Sequence, residues 1–142
     1  MSDGGVIQMD AVALNAFLRR AFPEGDPEQM ASIVEVEEGR ALLKLPYASR
    51  QLRPGGVISG PTLMTLADTA AYALVLAHIG EVAMAVTTSL TIHFLRGCKP
   101  GDVYAEATLL KLGRRIATAD ILMWTETRER AAAKATVAYA IP

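Results

Sequence analysis

A chain of 142 residues, 51% of them apolar, is long enough to enclose a substantial core and fits one domain, residues 1–142. Its net charge of −1, with no basic block, argues against a large nucleic-acid surface, because such binding is driven by neutralising phosphates. The single cysteine, Cys98, excludes an internal disulfide and fits a reducing compartment, so the expected location is cytoplasmic.

The first residues, Met1 to Gly5, are polar and glycine-rich and carry no basic start followed by an apolar run. Residues 1–9 are expected to be flexible. Asp10 to Phe22 reads as a short amphipathic helix. Asp10 is its N-cap, Val12, Leu14, Phe17, Leu18 and Ala21 recur near helical spacing, and Pro23, Gly25 and Pro27 end it. Two short strands follow, Ser32 to Glu37 and Arg40 to Pro46, with Glu38-Gly39 as their turn. Tyr47 to Ser59 contains Pro54, Gly55 and Gly56 and reads as an irregular loop.

A long helix begins near Pro61, since proline suits the first helical position, and Gly80 stops it. Pro61 to His78 would span roughly 27 Å. Leu63 to Ile79 is the most apolar stretch, but it is short for a membrane span and contains Asp68. A charge near the centre of a spanning helix costs about 2.5–3.5 kcal/mol. A buried core helix and no membrane partner is therefore the expectation.

The remainder reads as strands. Met84 to Leu95 alternates, with Met84, Val86, Leu90, Ile92 and Phe94 apolar and Thr87, Ser89, Thr91 and His93 between them. Val103 to Leu112 and Arg115 to Trp124 flank Gly113 as a hairpin. A charged turn, Thr127 to Arg130, leads to a last strand, Ala131 to Ile141. Short connections imply an antiparallel sheet. A helix apolar on most sides needs something around it. The α+β class follows, with a curved antiparallel sheet wrapped around one long central helix.

Thr65, Asp68, Thr69 and Tyr72 are the polar residues in the body of that helix, at spacings that share a face. A carboxylate there must be paired, hydrogen-bonded or neutralised. It either bonds Thr65, Tyr72 or a neighbouring subunit, or it does chemistry. The helix start, two turns away on the same face, offers N–H donors and a positive dipole end for a developing oxyanion. His93, on a strand, and His78, at a helix end where a cation suits the dipole, read as structural. No metal-ligand spacing and no Gly-x-Ser-x-Gly elbow occurs.

The run from Ser59 to Ala70, SGPTLMTLADTA, resembles the signature of PaaI-type hotdog thioesterases, relatives of the 4-hydroxybenzoyl-CoA thioesterases. Ala85 to Thr88, Ile92 to Arg96, Lys99 to Asp102, Gly113 to Arg115 and Ala135 to Tyr139 resemble further parts of that pattern, in order. The resemblance implies a hotdog fold and acyl-CoA hydrolysis without metal or organic cofactor, coenzyme A being part of the substrate. It implies a homodimer or a dimer-of-dimers tetramer whose site is shared between subunits. By position it gives Asp68 as general base or nucleophile, Gly60 as the N–H donor to the thioester carbonyl, and Thr87 as a residue that places the water. Ser59 stands where the family often has His or Asn, and Pro61 replaces a second glycine, removing one N–H; the Gly60 and Thr62 N–H groups remain. Ser59, Pro61, Thr62, Thr65 and Arg53 are expected around the substrate. Arg96, Arg114 and Arg115 are either solvated charges or contacts for the CoA phosphates. A non-catalytic acyl-CoA binder on the same fold is the alternative that the two departures suggest. A hotdog dehydratase would need a histidine in the signature, and there is none.

Overall fold

Asp10 caps the first helix as its position predicts. In the computed structural model, which describes residues 6–26 and 29–142, helix α1 spans Ala11–Ala21, and the Asp10 carboxylate accepts the Ala13 N–H at 2.9 Å. Leu14, Phe17 and Leu18 form its buried stripe, whereas Val12 is 78% exposed and Ala21 is also exposed. The stripe is thus narrower than the periodicity suggests. The expected flexibility of residues 1–9 does not extend to its second half. Met9 is buried, and the Gln8 and Met9 N–H groups both reach the Ala77 carbonyl. Met1–Gly5, and Pro27 among the expected helix breakers, lie outside the described residues.

Strands β1 (Ser32–Glu37) and β2 (Arg40–Leu45) form the expected hairpin. Its turn uses Gly39 at φ 77°, a conformation that suits a residue without Cβ. His78 explains how this turn is held. It is buried, not a solvated cation at a helix end. Its Nε2 lies 3.0 Å from the Gly39 N–H and accepts it, so Nδ1 carries the proton and donates to Leu74 O at 2.9 Å.

The segment 47–59, read as an irregular loop, is ordered by short-range bonds. A 3-10 turn, Ser49–Gln51, leads into a two-residue hairpin of β3 (Leu52–Arg53) and β4 (Val57–Ile58). Gly55 and Gly56, at φ 103° and 77°, make the hairpin's reversal. The hairpin is tied down because Ile58 N–H bonds Cys98 O.

Helix α2 spans Gly60–Ile79, with Ser59 as N-cap, Pro61 in its first turn and Gly80 as C-cap at φ 89°. By length and composition it could cross a membrane, but most of its residues are buried in the protein. The sheet around it is antiparallel with strand order β1-β2-β6-β7-β8-β5. The remaining strands are β5 (Val86–Phe94), β6 (Val103–Leu112), β7 (Ile116–Trp124) and β8 (Ala133–Ala140). Inward positions are small: Ala105, Ala107, Ala117, Ala119, Ala133 and Ala135 are buried, facing a helix that buries Ala67, Ala70, Ala71, Ala73 and Ala77. Small residues on both sides let the sheet close tightly on the helix. Register shifts in β1, β5 and β6 add the local bending that wrapping needs.

One of those shifts changes the reading of β5. It falls between Thr87 and Ser89, at Thr88. Before it, Thr87 pairs with Tyr139; after it, Leu90, Ile92 and Phe94 pair with Val137, Ala135 and Ala133. Tyr139, Val137, Ala135 and Ala133 are all buried. Thr87 therefore shares the helix-facing side with the apolar residues, not with Ser89, Thr91 and His93. The simple alternation breaks at Thr88, next to Thr87.

Candidate active site

Asp68 sits two turns into α2, half-buried, where the helix face meets the β5 end of the sheet. Its Oδ1 accepts two hydroxyl hydrogen bonds, from Thr87 Oγ1 at 2.6 Å and from Tyr139 Oη at 2.8 Å. Tyr139 Oη also lies 3.2 Å from the Asp68 carbonyl. Among the described residues, nothing bonds Oδ2. Two cross-strand neighbours thus clamp one carboxylate oxygen and leave the other without a partner among the described residues.

Thr65 and Tyr72, the helix partners open to Asp68 from spacing, serve elsewhere. Thr69 donates to Thr65 O at 2.9 Å, and Tyr72 donates to Ala83 O at 3.0 Å. The Tyr72 and Tyr139 rings stack with centroids 5.7 Å apart, which fixes the Tyr139 ring. Burial raises the Tyr139 phenol well above its ordinary range, and the Asp68 charge beside it pushes the same way. The phenol is accordingly protonated, and so a donor, at neutral pH. Tyr139 was not singled out from the sequence as a site residue. Its signal was a polar-tipped aromatic at an inward position of β8, after Ala133, Ala135 and Val137.

The helix start is arranged differently from the expectation. Ser59 Oγ lies 2.8 Å from Thr62 Oγ1 and 3.4 Å from the Thr62 N–H, and Leu63 N–H bonds Ser59 O at 3.2 Å. Thr62 N–H is therefore engaged as a cap contact rather than left over for a ligand. Pro61, exposed in the first turn, has no N–H. Gly60 N–H is the donor that keeps no partner among the described residues. The Phe94 ring lies over Gly60, where a Cβ would sit 3.2 Å from Cζ. Gly60 and Asp68 are eight residues apart on one helix, about 12 Å along its axis. Within one chain they cannot act on one carbonyl.

Two adjoining cavities open at this face. The smaller, about 270 Å³, is lined by Asp68, Thr87, Tyr139 and Tyr72. The larger, about 500 Å³, lies between α1 and α2 and is lined by Leu18, Met30, Leu45 and Leu66 with Thr62 and Thr65. Phe22 and Thr69 line both. Gln51, also on the larger cavity, is buried and already bonded to Pro46 O and Ala48 N–H.

The four expected arginines are exposed and form no ion pair among the described residues. They do not share one mouth. Arg114 and Arg115 lie in the β6–β7 turn, beside Val86 and Ala140. Arg96 follows β5 at its other end, and Arg53 is in the small hairpin whose Val57 lies against Gly97. The ends of β5 are about 26 Å apart. His93 is exposed. No group of three or more His, Cys, Asp or Glu residues capable of holding a metal occurs among the described residues. Cys98 is buried, and burial pushes its thiol up, the direction of an inert thiol.

Residues 55–132 match the family profile of the thioesterase superfamily. A solved candidate thioesterase from Silicibacter sp. is 41% identical, with 99% of this chain and 96% of that one covered at a TM-score of 0.88. Zebrafish thioesterase superfamily member 2 is 16% identical, with 95% and 100% covered at a TM-score of 0.81. The PaaI protein of the Escherichia coli phenylacetic acid degradation operon is 22% identical, with 91% and 94% covered at 0.74. These last two likenesses establish the hotdog fold. Among curated relatives, a candidate esterase of Thermoplasma acidophilum is 26% identical over 86 residues, 61% of this chain. The chain spans 64%, 63% and 57% of the length of the three curated relatives it matches.

Proposed function

The chain belongs to the thioesterase superfamily, and from that membership we propose that it hydrolyses an acyl-CoA thioester to a free acid and CoA. The observation that carries this reading is the clamped Asp68. With Oδ1 held by Thr87 and Tyr139, Oδ2 is the carboxylate oxygen left for chemistry, on a residue that lines the smaller cavity. Acting as general base, Oδ2 takes a proton from water as the water oxygen bonds to the thioester carbon, and passes that proton to the leaving sulfur. Acting as nucleophile, it bonds to that carbon to give a mixed anhydride, which water then hydrolyses to the free acid and the Asp68 carboxylate, a proton of that water going to the sulfur. In either case the C–S bond breaks and the CoA sulfur leaves as the thiol. Gly60 N–H is the donor for the developing oxyanion, where one such donor contributes about 2.7–4 kcal/mol.

A second copy of the chain completes the site in this reading. Strand β5 is a sheet edge, and Val86, Phe94, Leu95 and Met84 are each more than half exposed on or beside it. A long apolar edge calls for a partner. Two-fold pairing of β5 with its own copy is antiparallel, because an isologous contact reverses the strand. The Phe94 end of one copy, which covers Gly60, then lies beside the Thr87 end of the other, which holds Asp68. The same operation sets the Arg96 end of one copy near Arg114 and Arg115 of the other, where the CoA phosphates would be met.

Thiol release over a panel of acyl-CoAs, with wild type and Asp68→Asn compared, tests the reading. Asp68→Asn is expected to lose about 10²-fold or more in turnover while remaining folded. Full activity in that variant would remove Asp68 from the chemistry. Tight acyl-CoA binding by wild type with no thiol release would favour a non-catalytic binder.

A further inference from the structure

We propose that the larger cavity is the acyl chamber, and that it selects a saturated aliphatic acyl chain of medium length over a hydroxylated aryl group. The inference rests on the reading that the thioester lies at Asp68. Continuity gives the path: Phe22 and Thr69 line both the Asp68 cavity and the larger one, so an acyl chain leaving a carbonyl beside Asp68 Oδ2 passes between them.

The state of the polar groups in the wall gives the class. Thr62 Oγ1 is bonded to Ser59 Oγ, Thr69 Oγ1 to Thr65 O, and both ends of the Gln51 amide to Pro46 O and Ala48 N–H. What the chamber presents inward is mainly Leu18, Phe22, Met30, Leu45 and Leu66. The Thr65 hydroxyl, the Gln29 amide and the exposed Arg50 are the polar groups left over. A ring hydroxyl buried against Leu18, Leu45 and Leu66 would exchange water for apolar wall, and it would be disfavoured. Methylenes meet no such penalty. The volume, about 500 Å³, lies within the usual range of small-molecule sites. At about 30 Å³ per water-sized group and incomplete filling, it takes on the order of ten carbons. Met30 has the adaptable side chain that suits a linear chain rather than one rigid ring.

The test is kcat/KM for straight-chain acyl-CoAs from acetyl to palmitoyl and for 4-hydroxybenzoyl-CoA, with calorimetric binding of a non-hydrolysable decanoyl thioether of CoA. Wild type should gain roughly three- to fourfold per methylene up to a medium-chain optimum, and should prefer decanoyl- to hydroxybenzoyl-CoA by tenfold or more. Ala31→Phe, at a position that lines the larger cavity and not the Asp68 cavity, should cut decanoyl-CoA turnover and thioether binding at least tenfold with a much smaller effect on acetyl-CoA turnover. Met30→Ala, which enlarges it, should move the optimum to longer chains. Preference for the hydroxylated ring, or a chain-length profile unmoved by both variants in folded protein, overturns the proposal. If no acyl-CoA is hydrolysed, the thioesterase reading fails separately, and the chamber still stands or falls on whether Ala31→Phe weakens thioether binding.

Discussion

At the scale of single residues, the site turns on how one carboxylate is held. Asp68 was legible in the sequence because a charge on an apolar helix is conspicuous and its distance from Gly60 follows a motif. Tyr139 was not, because it lies 71 residues away and meets Asp68 only through the pairing of β5 with β8. The two donors to Oδ1 are charge-assisted, a class that contributes about 1.5–3 kcal/mol each. Tyr139→Phe keeps the ring stacked on Tyr72 and removes only the donor. Its kcat is expected to fall about tenfold with KM unchanged, because the loss is of carboxylate orientation rather than of substrate binding, and its melting temperature by several degrees. Thr87→Val should act in the same direction, with Thr87→Ser restoring most of the rate. The double variant should lose less than the product of the two, since both act on one oxygen. An unchanged kcat in Tyr139→Phe, with Asp68→Asn inactive, would reduce Tyr139 to a core residue.

At the scale of elements, the helices and long strands were legible from period and caps, and the misreadings have local causes. The bulge at Thr88 shifts the phase of β5, and no alternation score reveals it, since both faces of that strand mix Thr with apolar residues. Segment 47–59 looked structureless because its order comes from side chain to backbone bonds of Gln51 and from the Ile58–Cys98 contact. On the outer face of the sheet, Glu106 joins β2 to the 3-10 turn at Arg128–Arg130 by bonding Arg40 Nε and Arg128 Nε, each at 2.7 Å. Burial opposes the charge on Glu106, but the two guanidiniums together outweigh it and hold its carboxyl below the usual range. A carboxyl depressed in the folded state stabilises fully above its unfolded value near 4.3, and that stability is lost as pH falls through the folded value. Glu106→Gln is therefore expected to be less stable by about 1–3 kcal/mol at neutral pH. The deficit should hold down to about pH 5 and close at lower pH. Urea melts at pH 7 and pH 3 measure it; an equal deficit at both would show that the charge is not what stabilises this junction.

At the scale of the whole molecule, the sequence suggested a shared site only through family likeness, because the separation of Gly60 from Asp68 has no meaning until the helix and the β5 edge are placed. The geometry makes the sharing testable by mixing subunits. Gly60→Pro removes the remaining N–H at the helix start, and Ser59, at ψ 152°, already has the extended backbone that a residue before proline requires. Asp68→Asn removes the carboxylate. Each variant alone should be inactive. In a heterodimer of the two, one site combines the intact Gly60 of the first chain with the intact Asp68 of the second, and the other site has lost both. Random reassociation makes about half of the dimers mixed, each with one good site of two, so activity should return to about a quarter of wild type. Sites contained within one chain would give no recovery at any mixing ratio. Leu95→Lys, at an exposed apolar position beside the β5 edge, should convert a homo-oligomer to a monomer in sedimentation and abolish thiol release together with complementation; an active, folded monomer would contradict the shared site.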